Sequence, residues 1–292
     1  MGLLSGLEKF GFKSLDKVDL YEEEKKETEK STTARRVQNN TANKTLAELT
    51  EPEMLFEKSY TCPVCEQELK VKTMRQGKAK LLGTEVDMRP TYQNIDSVKY
   101  GAILCTNCGY AALTSYFGQL SDSQIRLIEE NITSKYSKSH KLDGDQYSYE
   151  EALEIHKMAL LNAVVKRGKS SEKAFICLKL AWLLRGKAEF MEQEGKTGEE
   201  ELAKIKEEEK EYLSEAYKGF ITAIQTESSA KICGMDSATI TYLCAALAYE
   251  IGEYEESQRM VSRIYAMPNA TKRLKDKCID LKEMIQEKTK NS

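Results

Sequence analysis

The chain has 292 residues, and its 44 Lys and Arg residues nearly balance its 47 Asp and Glu residues, which leaves a net charge of −3 at pH 7. This balance lacks the strongly basic character that usually marks a nucleic-acid-binding domain. No segment approaches the roughly 18 consecutive apolar residues of a membrane-spanning helix and the N-terminus lacks signal-peptide features, so we expect a cytoplasmic protein of about two domains.

Residues 1–50 are predicted to form an apolar tip on a polar tether. The tip carries apolar side chains at near-helical spacing, namely Leu3, Leu4, Leu7 and Phe10. Residues 19–44 have almost nothing to bury, and a segment that cannot offset its ordering entropy is expected to be disordered. The tip is therefore either a frayed end or a tethered peptide that docks into an apolar groove, for which the chain's own helices are a candidate.

Two Cys-x-x-Cys pairs are the most informative feature of the sequence: Cys62 with Cys65, and Cys105 with Cys108. Two such turns can close four thiolates around one ion, and an all-thiolate shell without an open position is typical of structural zinc. Iron in the same cage is the alternative. A redox role is disfavoured because neither pair lies in a βαβ pattern. The other cysteines are scattered, which fits a reducing compartment, and they are Cys177, Cys233, Cys244 and Cys278.

Residues 51–120 are predicted to form a small zinc-ribbon-like β domain. Residues 69–73 alternate as a half-buried strand does, and residues 100–104 lead as another strand into the second cysteine pair, so we expect both in one antiparallel sheet. The 39 residues at 66–104 exceed the roughly 15 to 20 of a compact ribbon, so this insert must have structure of its own. Gly109 is expected to take the left-handed conformation that ends the second turn.

Residues 121–292 are predicted to form an all-α domain, because the apolar period changes from two to about 3.6 residues. Capping-box spacing indicates helix starts at Ser121, Ser148 and Thr197, and glycines indicate helix ends at Gly168, Gly195 and Gly252. The predicted helices span about 122–136, 149–167, 171–194, 198–227, 236–251, 253–266 and 270–289. Their short connections predict antiparallel neighbours.

The helical region also resembles a tetratricopeptide repeat. Gly252 and Tyr254 stand at a helix turn, and Ser257 occupies the position where the repeat prefers Ala, so two helices can approach closely. Residues 149–190 show the same small and apolar rhythm more weakly. We therefore expect a tetratricopeptide-like array, with an ordinary irregular helical bundle as the alternative.

Four motifs follow one another along the chain. They are the first cysteine pair, Asp-Met-Arg-Pro-Thr-Tyr at 87–92, Cys-Thr-Asn-Cys-Gly-Tyr-Ala at 105–111 and Ala-Trp-Leu-Leu-Arg at 181–185. This combination resembles an uncharacterised bacterial family, domain of unknown function 2225. The resemblance implies a metal-binding cysteine domain joined to tetratricopeptide-like helices, and it implies no known activity.

Polar residues of the insert offer two further candidate sites. Asp87, Arg89 and Tyr92 could line a polar site, although an Arg beside an Asp more often holds a loop. The basic stretch from Lys70 to Lys80 comprises Lys70, Lys72, Arg75, Lys78 and Lys80. Cations with nearby tyrosines can bind single-stranded nucleic acid. A solvated strand face that offsets thiolate charge is the simpler interpretation.

The two histidines, His140 and His156, are not needed by a four-cysteine site, and His156 is predicted to pack within a helix rather than act as a base. No nucleophile-and-base motif, P-loop or Rossmann pattern occurs. The sequence therefore predicts a non-catalytic scaffold whose zinc domain holds one end of a helical array, with a groove that binds a protein or peptide. The alternatives are a nucleic-acid-binding module and an enzyme with a site between ribbon and helices.

Overall fold

The computed structural model describes residues 2–12, 20–21, 49–137, 142, 144–195 and 198–290. Strands occupy the part of the chain from residue 55 to residue 113, and seven helices follow among the described residues, so the predicted α+β class is confirmed. Only Leu20 and Tyr21 of the predicted tether are described. The rest of that prediction lies outside the described residues, as do His140 and the predicted cap Thr197.

Six strands form three two-stranded antiparallel sheets. The strands are β1 (Leu55–Thr61), β2 (Glu68–Met74), β3 (Leu81–Thr84), β4 (Pro90–Tyr92), β5 (Ala102–Leu104) and β6 (Ala111–Leu113). They pair in chain order, so that the first cysteine pair lies in the β1–β2 turn and the second in the β5–β6 turn. The β3–β4 hairpin lies between them in sequence and gives the insert the structure that its length requires.

The two strands predicted around the cysteine pairs are present, but the prediction that they share one sheet is wrong. Residues 69–73 belong to β2, which pairs with β1, whereas β5 pairs with β6. Tyr100 precedes β5 in a 3-10 turn at Ser97–Tyr100. Each cysteine turn is closed by its own hairpin, whose two strands pair with each other.

The helices agree closely with the predicted spans. They are α1 (Asp122–Ile128), which continues into a π-helical turn at Glu129–Thr133, then α2 (Tyr149–Val165), α3 (Ser170–Glu194), α4 (Glu199–Thr226), α5 (Ser237–Ile251), α6 (Tyr254–Tyr265) and α7 (Lys272–Lys290). Capping boxes form at Ser121 and Ser148, as predicted. Gly195 and Gly252 end α3 and α5 in the left-handed conformation. At the end of α2 the left-handed residue is Arg167, with φ 53°, rather than the predicted Gly168.

One hydrophobic core extends from the N-terminal tip through the cysteine hairpins into α2, α3 and α4. Tyr110, Leu183 and Phe220 belong to this core, and each is fully buried. Helix α2 packs directly on β5 and β6. A second cluster joins α5, α6 and α7 through side chains such as Tyr242 and Leu281. Secondary structure changes near residue 120 while the core cluster continues across it, and the division into domains at that residue stays a prediction.

From α2 onward each helix packs on the next helix along the chain, and α7 also contacts α5. At the α5–α6 turn the buried Ser257 hydroxyl donates to the Ala245 carbonyl at 2.7 Å. Tyr254 is only half-buried, with its ring centroid 5.8 Å from that of Tyr249. These contacts are those expected of a close helix turn, and the tetratricopeptide-like assignment stays a prediction. Among the described helices we find no candidate for a membrane-spanning segment.

We expect Ser257→Ala to lower the free energy of unfolding by about 1 kcal/mol, because it removes a buried hydrogen bond between two helices. Ser262→Ala is the matched control, since the exposed Ser262 hydroxyl bonds only within its own helix, to Gln258. The control should change stability by less than about 0.5 kcal/mol. Urea unfolding measures both. Equal effects of the two substitutions would show that Ser257 does not join α5 to α6.

Candidate metal centre

The two cysteine turns share one backbone form. In the first turn the Glu66 amide donates to the Cys62 carbonyl at 2.9 Å, and in the second the Gly109 amide donates to the Cys105 carbonyl at 2.8 Å. The residue that follows each pair is left-handed, with φ of 58° at Glu66 and 79° at Gly109. The left-handed prediction for Gly109 is therefore confirmed. Two equivalent turns each direct two thiols toward the same place.

The four sulfur atoms converge. All lie within 4.8 Å of one another. The Cys62 and Cys108 sulfurs are 3.6 Å apart, and so are the Cys65 and Cys105 sulfurs, so each of these close pairs joins the two turns. Four sulfurs placed tetrahedrally around zinc at about 2.3 Å would lie about 3.8 Å from one another. The predicted ligand set thus fits one ion held by four thiolates.

The thiols cannot all ionise at this spacing unless a cation is present. Hydrogen bonding makes Cys105 the preferred thiolate, since donation from the Cys108 and Cys62 thiols lowers the pKa of Cys105. Donation to Cys105 correspondingly raises the pKa values of Cys62 and Cys108. A divalent ion would replace these shared protons, and a closed four-thiolate shell leaves no position for substrate. The arrangement is therefore suited to a structural role.

Helix α2 holds the second cysteine turn in place. Asn162 is fully buried and its side-chain amide donates to the Gly109 carbonyl at 3.0 Å. A Cβ atom at Gly109 would lie 2.5 Å from the Tyr136 ring, so the ring packs directly against the turn. On the other side of the site, the Asn107 amide donates to the Cys65 sulfur at 3.4 Å. The candidate metal centre is consequently connected to the helical core, and no pattern in the sequence indicated the role of Asn162.

The four remaining cysteines lie away from the cluster and have free thiols. Cys177, Cys244 and Cys278 are buried, as predicted for Cys177 and Cys244, and Cys233 is half-buried. Burial raises the pKa of Cys244 to about 12 and of Cys278 to about 11. These thiols are poor nucleophiles, because the thiolate is the reactive form.

Two of the motifs that carry the family resemblance meet in a buried polar contact. Asp87 lies in the β3–β4 turn and is fully buried. One of its carboxylate oxygens accepts from the Trp182 indole at 2.8 Å and lies 3.0 Å from the Arg185 guanidinium. Trp182 and Arg185 both belong to α3. The Asp87 carboxylate of the Asp-Met-Arg-Pro-Thr-Tyr motif therefore attaches the insert to α3, whereas the sequence predicted either a local Asp–Arg pair or an open polar site.

Arg89 makes a second connection from the same turn to α3. Its guanidinium binds both carboxylate oxygens of Glu189 at 2.9 Å and also contacts Glu85 and Asp96. Gly186 makes room for this network, since a Cβ atom there would lie 2.6 Å from Asp96 and 2.8 Å from Arg89. A bidentate ion pair of this kind fixes the relative orientation of the two side chains and also pairs their charges.

Sequence reasoning missed the acidic partners of this network. Glu85 and Glu209 both bind Arg185, the latter at 2.7 Å. Burial raises the pKa values of Glu209 and of nearby Glu250. Tyr92, the third residue predicted for a polar site, lies in β4 and is half-buried. Together with Glu189 of α3, these glutamates come from the β3–β4 turn and from three different helices, so no local spacing in the sequence could have indicated them.

Three cations of the basic stretch contact other groups of the chain. Lys72 donates to the Leu142 carbonyl at 3.0 Å, and the exposed Lys70 ammonium lies 3.8 Å from Glu57. Arg75 donates to the Leu55 carbonyl at 2.8 Å. The neighbouring aromatic residues Tyr100 and Tyr110 are buried, so their rings are not available for stacking on bases. These contacts weaken the nucleic-acid alternative.

His156 is fully buried in α2, in agreement with its prediction as a packing residue. Its Nδ1 atom lies 2.7 Å from the Ala152 carbonyl. Burial lowers the pKa of His156 to about 3. The imidazole is therefore neutral at physiological pH and unsuited to exchanging protons with solvent.

We expect the protein, purified without chelator, to contain one zinc ion per chain, and Cys62→Ser to lose it because a three-thiolate site no longer closes. Cys233→Ser is the control and should keep the metal. Because the cysteine turns share a core with α2, loss of zinc should lower the thermal stability of strands and helices together. Elemental analysis and circular dichroism measure these effects. Iron in place of zinc, or separate melting of the helices, would contradict this prediction.

We expect Gly186→Ala to destabilise the protein by about 2 kcal/mol, because the new methyl group must displace Asp96 and Arg89. Helix propensity alone predicts the opposite sign, a gain of about 1 kcal/mol. Gln193→Ala, at an exposed position of the same helix, is the control and should be near neutral. Urea unfolding decides between the two signs, and a stabilised Gly186→Ala variant would show that the insert does not pack tightly on α3.

Comparison with known proteins adds one finding. A search of curated proteins and a search of solved structures each found no match to the chain. A family profile described as an uncharacterized protein conserved in bacteria, DUF2225, matches residues 55–288. This segment contains all four cysteines, the Asp87–Arg89 turn and the Trp182–Arg185 segment, and it covers most of the 292 residues. The chain therefore belongs to the bacterial family of unknown function DUF2225.

Proposed function

We propose that this protein is a non-catalytic protein-interaction scaffold. In this proposal, Cys62, Cys65, Cys105 and Cys108 hold a structural zinc ion, and the helices bind a segment of a partner protein. The partner is recognised by apolar contacts and does not undergo chemistry.

One observation carries the proposal: the helices already hold a short apolar segment that enters from outside the family-matched region. Leu4, Leu7 and Phe10 of the N-terminal tip are almost fully buried. Eleven residues, 2–12, cannot form a core of their own, so these side chains are buried against the rest of the chain. A helical surface that accepts one such segment is chemically suited to accept another of the same kind.

The four-cysteine site supports a scaffold in a second way. It joins two hairpins that share no backbone ladder, and the insert between them is fastened to α3 through Asp87 and Arg89. A closed tetrahedral ion would therefore stiffen one end of the helical region. Rigid elements hold a binding surface more accurately than mobile ones do.

A tetratricopeptide-like arrangement of the helices is part of the proposal. Supporting it are the packing of successive helices in chain order, the left-handed Gly252 and the Ser257–Ala245 hydrogen bond. Arrays of this kind bind protein segments along their curved surfaces.

The non-catalytic part of the proposal draws support from the states of the titratable groups. His156 is neutral and enclosed, and Asp87 is occupied by Trp182 and Arg185. A general base needs access to its substrate and a pKa near the working pH. None of the eight cysteines is in a disulfide, which favours a reducing compartment and leads us to propose the cytoplasm.

The test uses the tagged full chain to capture proteins from a bacterial lysate, followed by calorimetry with the purified partner at two salt concentrations. We expect one-to-one binding that survives nuclease treatment and changes little with salt. Binding through phosphate contacts would instead lose about a thousandfold or more in affinity between 50 and 200 mM salt.

Two outcomes would overturn the scaffold. Nuclease-sensitive capture with a steep salt dependence would establish the nucleic-acid alternative. Consumption of a compound in a metabolite screen by the purified protein, and not by a Gly186→Ala variant with a disrupted insert contact, would establish an enzyme.

A further inference from the structure

The N-terminal strap, by which we mean residues 2–12 together with Leu20 and Tyr21, is bound on helices of the same chain. Leu3 and Tyr21 are partly buried. The other large apolar side chains of the strap are at most 6% exposed, and they are Leu4, Leu7, Phe10, Phe12 and Leu20. These residues join the core cluster that includes α2, α3 and α4. The strap is therefore docked at two separate points along the chain.

Polar contacts from two helices fix the first docking point. Tyr212 of α4 donates its hydroxyl to the Leu3 carbonyl. Lys157 of α2 donates to the Ser5 carbonyl at 3.1 Å. Both contacts are to backbone carbonyls, so they recognise the path of the segment and not its side chains. Apolar pockets supply the sequence preference, as in other complexes in which a peptide lies in a groove.

The end of the tip fits closely against the segment that follows α1. The Ser137 amide donates to the Phe10 carbonyl at 2.9 Å, and the Phe10 ring stacks on that of Tyr136 with 5.9 Å between centroids. Gly11 has φ 94°, and a Cβ atom there would lie 2.2 Å from the Lys135 carbonyl oxygen. Only glycine is compatible with this docked path.

Tyr21 occupies a notch between α3 and α4. Its hydroxyl donates to the Glu215 carbonyl at 2.7 Å, and the Lys173 ammonium lies 5.5 Å from its ring centroid. The notch exists because α4 has a glycine in its interior: a Cβ atom at Gly219 would lie 2.2 Å from the Tyr21 hydroxyl. A glycine inside a helix costs about 1 kcal/mol relative to alanine. The ring of Tyr21 accounts for the presence of glycine there.

The strap lies outside the family-matched segment 55–288, whereas its binding surface lies inside it. We propose that the surface of α2, α3 and α4 beneath the strap is the site that binds the partner, and that the strap is a competing ligand built into the chain. This inference rests on the proposed scaffold function and adds the binding face, the partner chemistry and the regulation.

The contacts of the strap define the partner as a short protein segment with a matching pattern. It carries apolar residues at three-residue spacing, as Leu4, Leu7 and Phe10 do. At the position of Gly11, which lies against the Lys135 carbonyl, the partner segment has a glycine. About ten positions later it has an aromatic residue, whose ring packs against Gly219 as that of Tyr21 does. A basic residue is favoured at the position of Lys9, which forms an ion pair with Glu154 of α2.

The experiment measures competition between the strap and a free copy of it. The probe is a synthetic peptide of residues 1–24 with a fluorescent label at its C-terminus, and its anisotropy reports binding to full-length protein. Gly11→Ala in the protein should weaken its own strap and leave the groove intact. If the strap is docked about nine-tenths of the time in the wild type, the Gly11→Ala chain should bind the peptide about tenfold more tightly.

Matched variants separate competition from general loosening. Glu8→Ala, at an exposed strap position, should bind the peptide as the wild type does. A peptide carrying Gly11→Ala should bind the Gly11→Ala chain poorly. Adding Gly219→Ala to that chain should cost about tenfold in affinity for the unmodified peptide, although alanine favours helix α4. Hydrogen exchange at the Ser137 amide should accelerate in the Gly11→Ala chain, which verifies release.

A second variant that weakens docking of the strap allows the experiment to be carried out if the Gly11→Ala chain does not fold. Lys9→Glu reverses the exposed ion pair with Glu154, and it should raise peptide affinity about threefold. Lys9→Glu combined with Glu154→Lys should restore the wild-type strap and the weak binding of a peptide that retains Lys9.

Equal affinity of wild-type and released chains for the peptide, with Ser137 exchange accelerated, would overturn the proposal. Dimerisation of the released chain without peptide binding would also overturn it, in favour of a groove that accepts the strap of a second copy. A partner protein bound equally by wild-type and Gly11→Ala chains would leave the scaffold function standing and place the partner on another surface.

Discussion

The burial of one carboxylate, Asp87, constrains much of this structure. A buried charge costs several kcal/mol unless it is paired and hydrogen-bonded. Its partners, Trp182 and Arg185, both belong to α3, more than ninety positions along the chain. The β3–β4 turn can therefore take only one position relative to the helices. Since this turn lies between the two cysteine hairpins in sequence, its attachment also limits where those hairpins can lie.

The four-cysteine cluster and the polar contact have separate structural roles. The four sulfurs converge from two hairpins that share no ladder, and the Asp87 and Arg89 contacts join the insert to α3. Asn162 then binds the second cysteine turn from α2. These contacts connect the strand region to the helices, and one hydrophobic core continues across residue 120.

The sequence predicted most of the local structure, because helix periodicity, capping boxes and Cys-x-x-Cys spacing are all local signals. Ser121 and Ser148 begin their helices as expected, and the four ligands converge. It did not predict the pairing of strands, the glutamates around Arg185 or the link from Asn162 to Gly109. Each of these contacts joins residues distant along the chain, and one sequence contains no record of which distant residues meet.

Glycines inside helices show how such distant contacts can leave a local trace. Gly186 in α3 and Gly219 in α4 are unfavourable for helix propensity, yet each lies in a long, otherwise regular helix. Gly186 faces Arg89 and Asp96, and Gly219 faces Tyr21. In both helices the glycine lies at the point where a segment distant in sequence packs against the helix. Gly186 packs against the insert, which lies within the family-matched segment, and Gly219 packs against the strap, which lies outside that segment. The same physical device thus serves permanent assembly at one helix and, in our proposal, exchangeable recognition at the next.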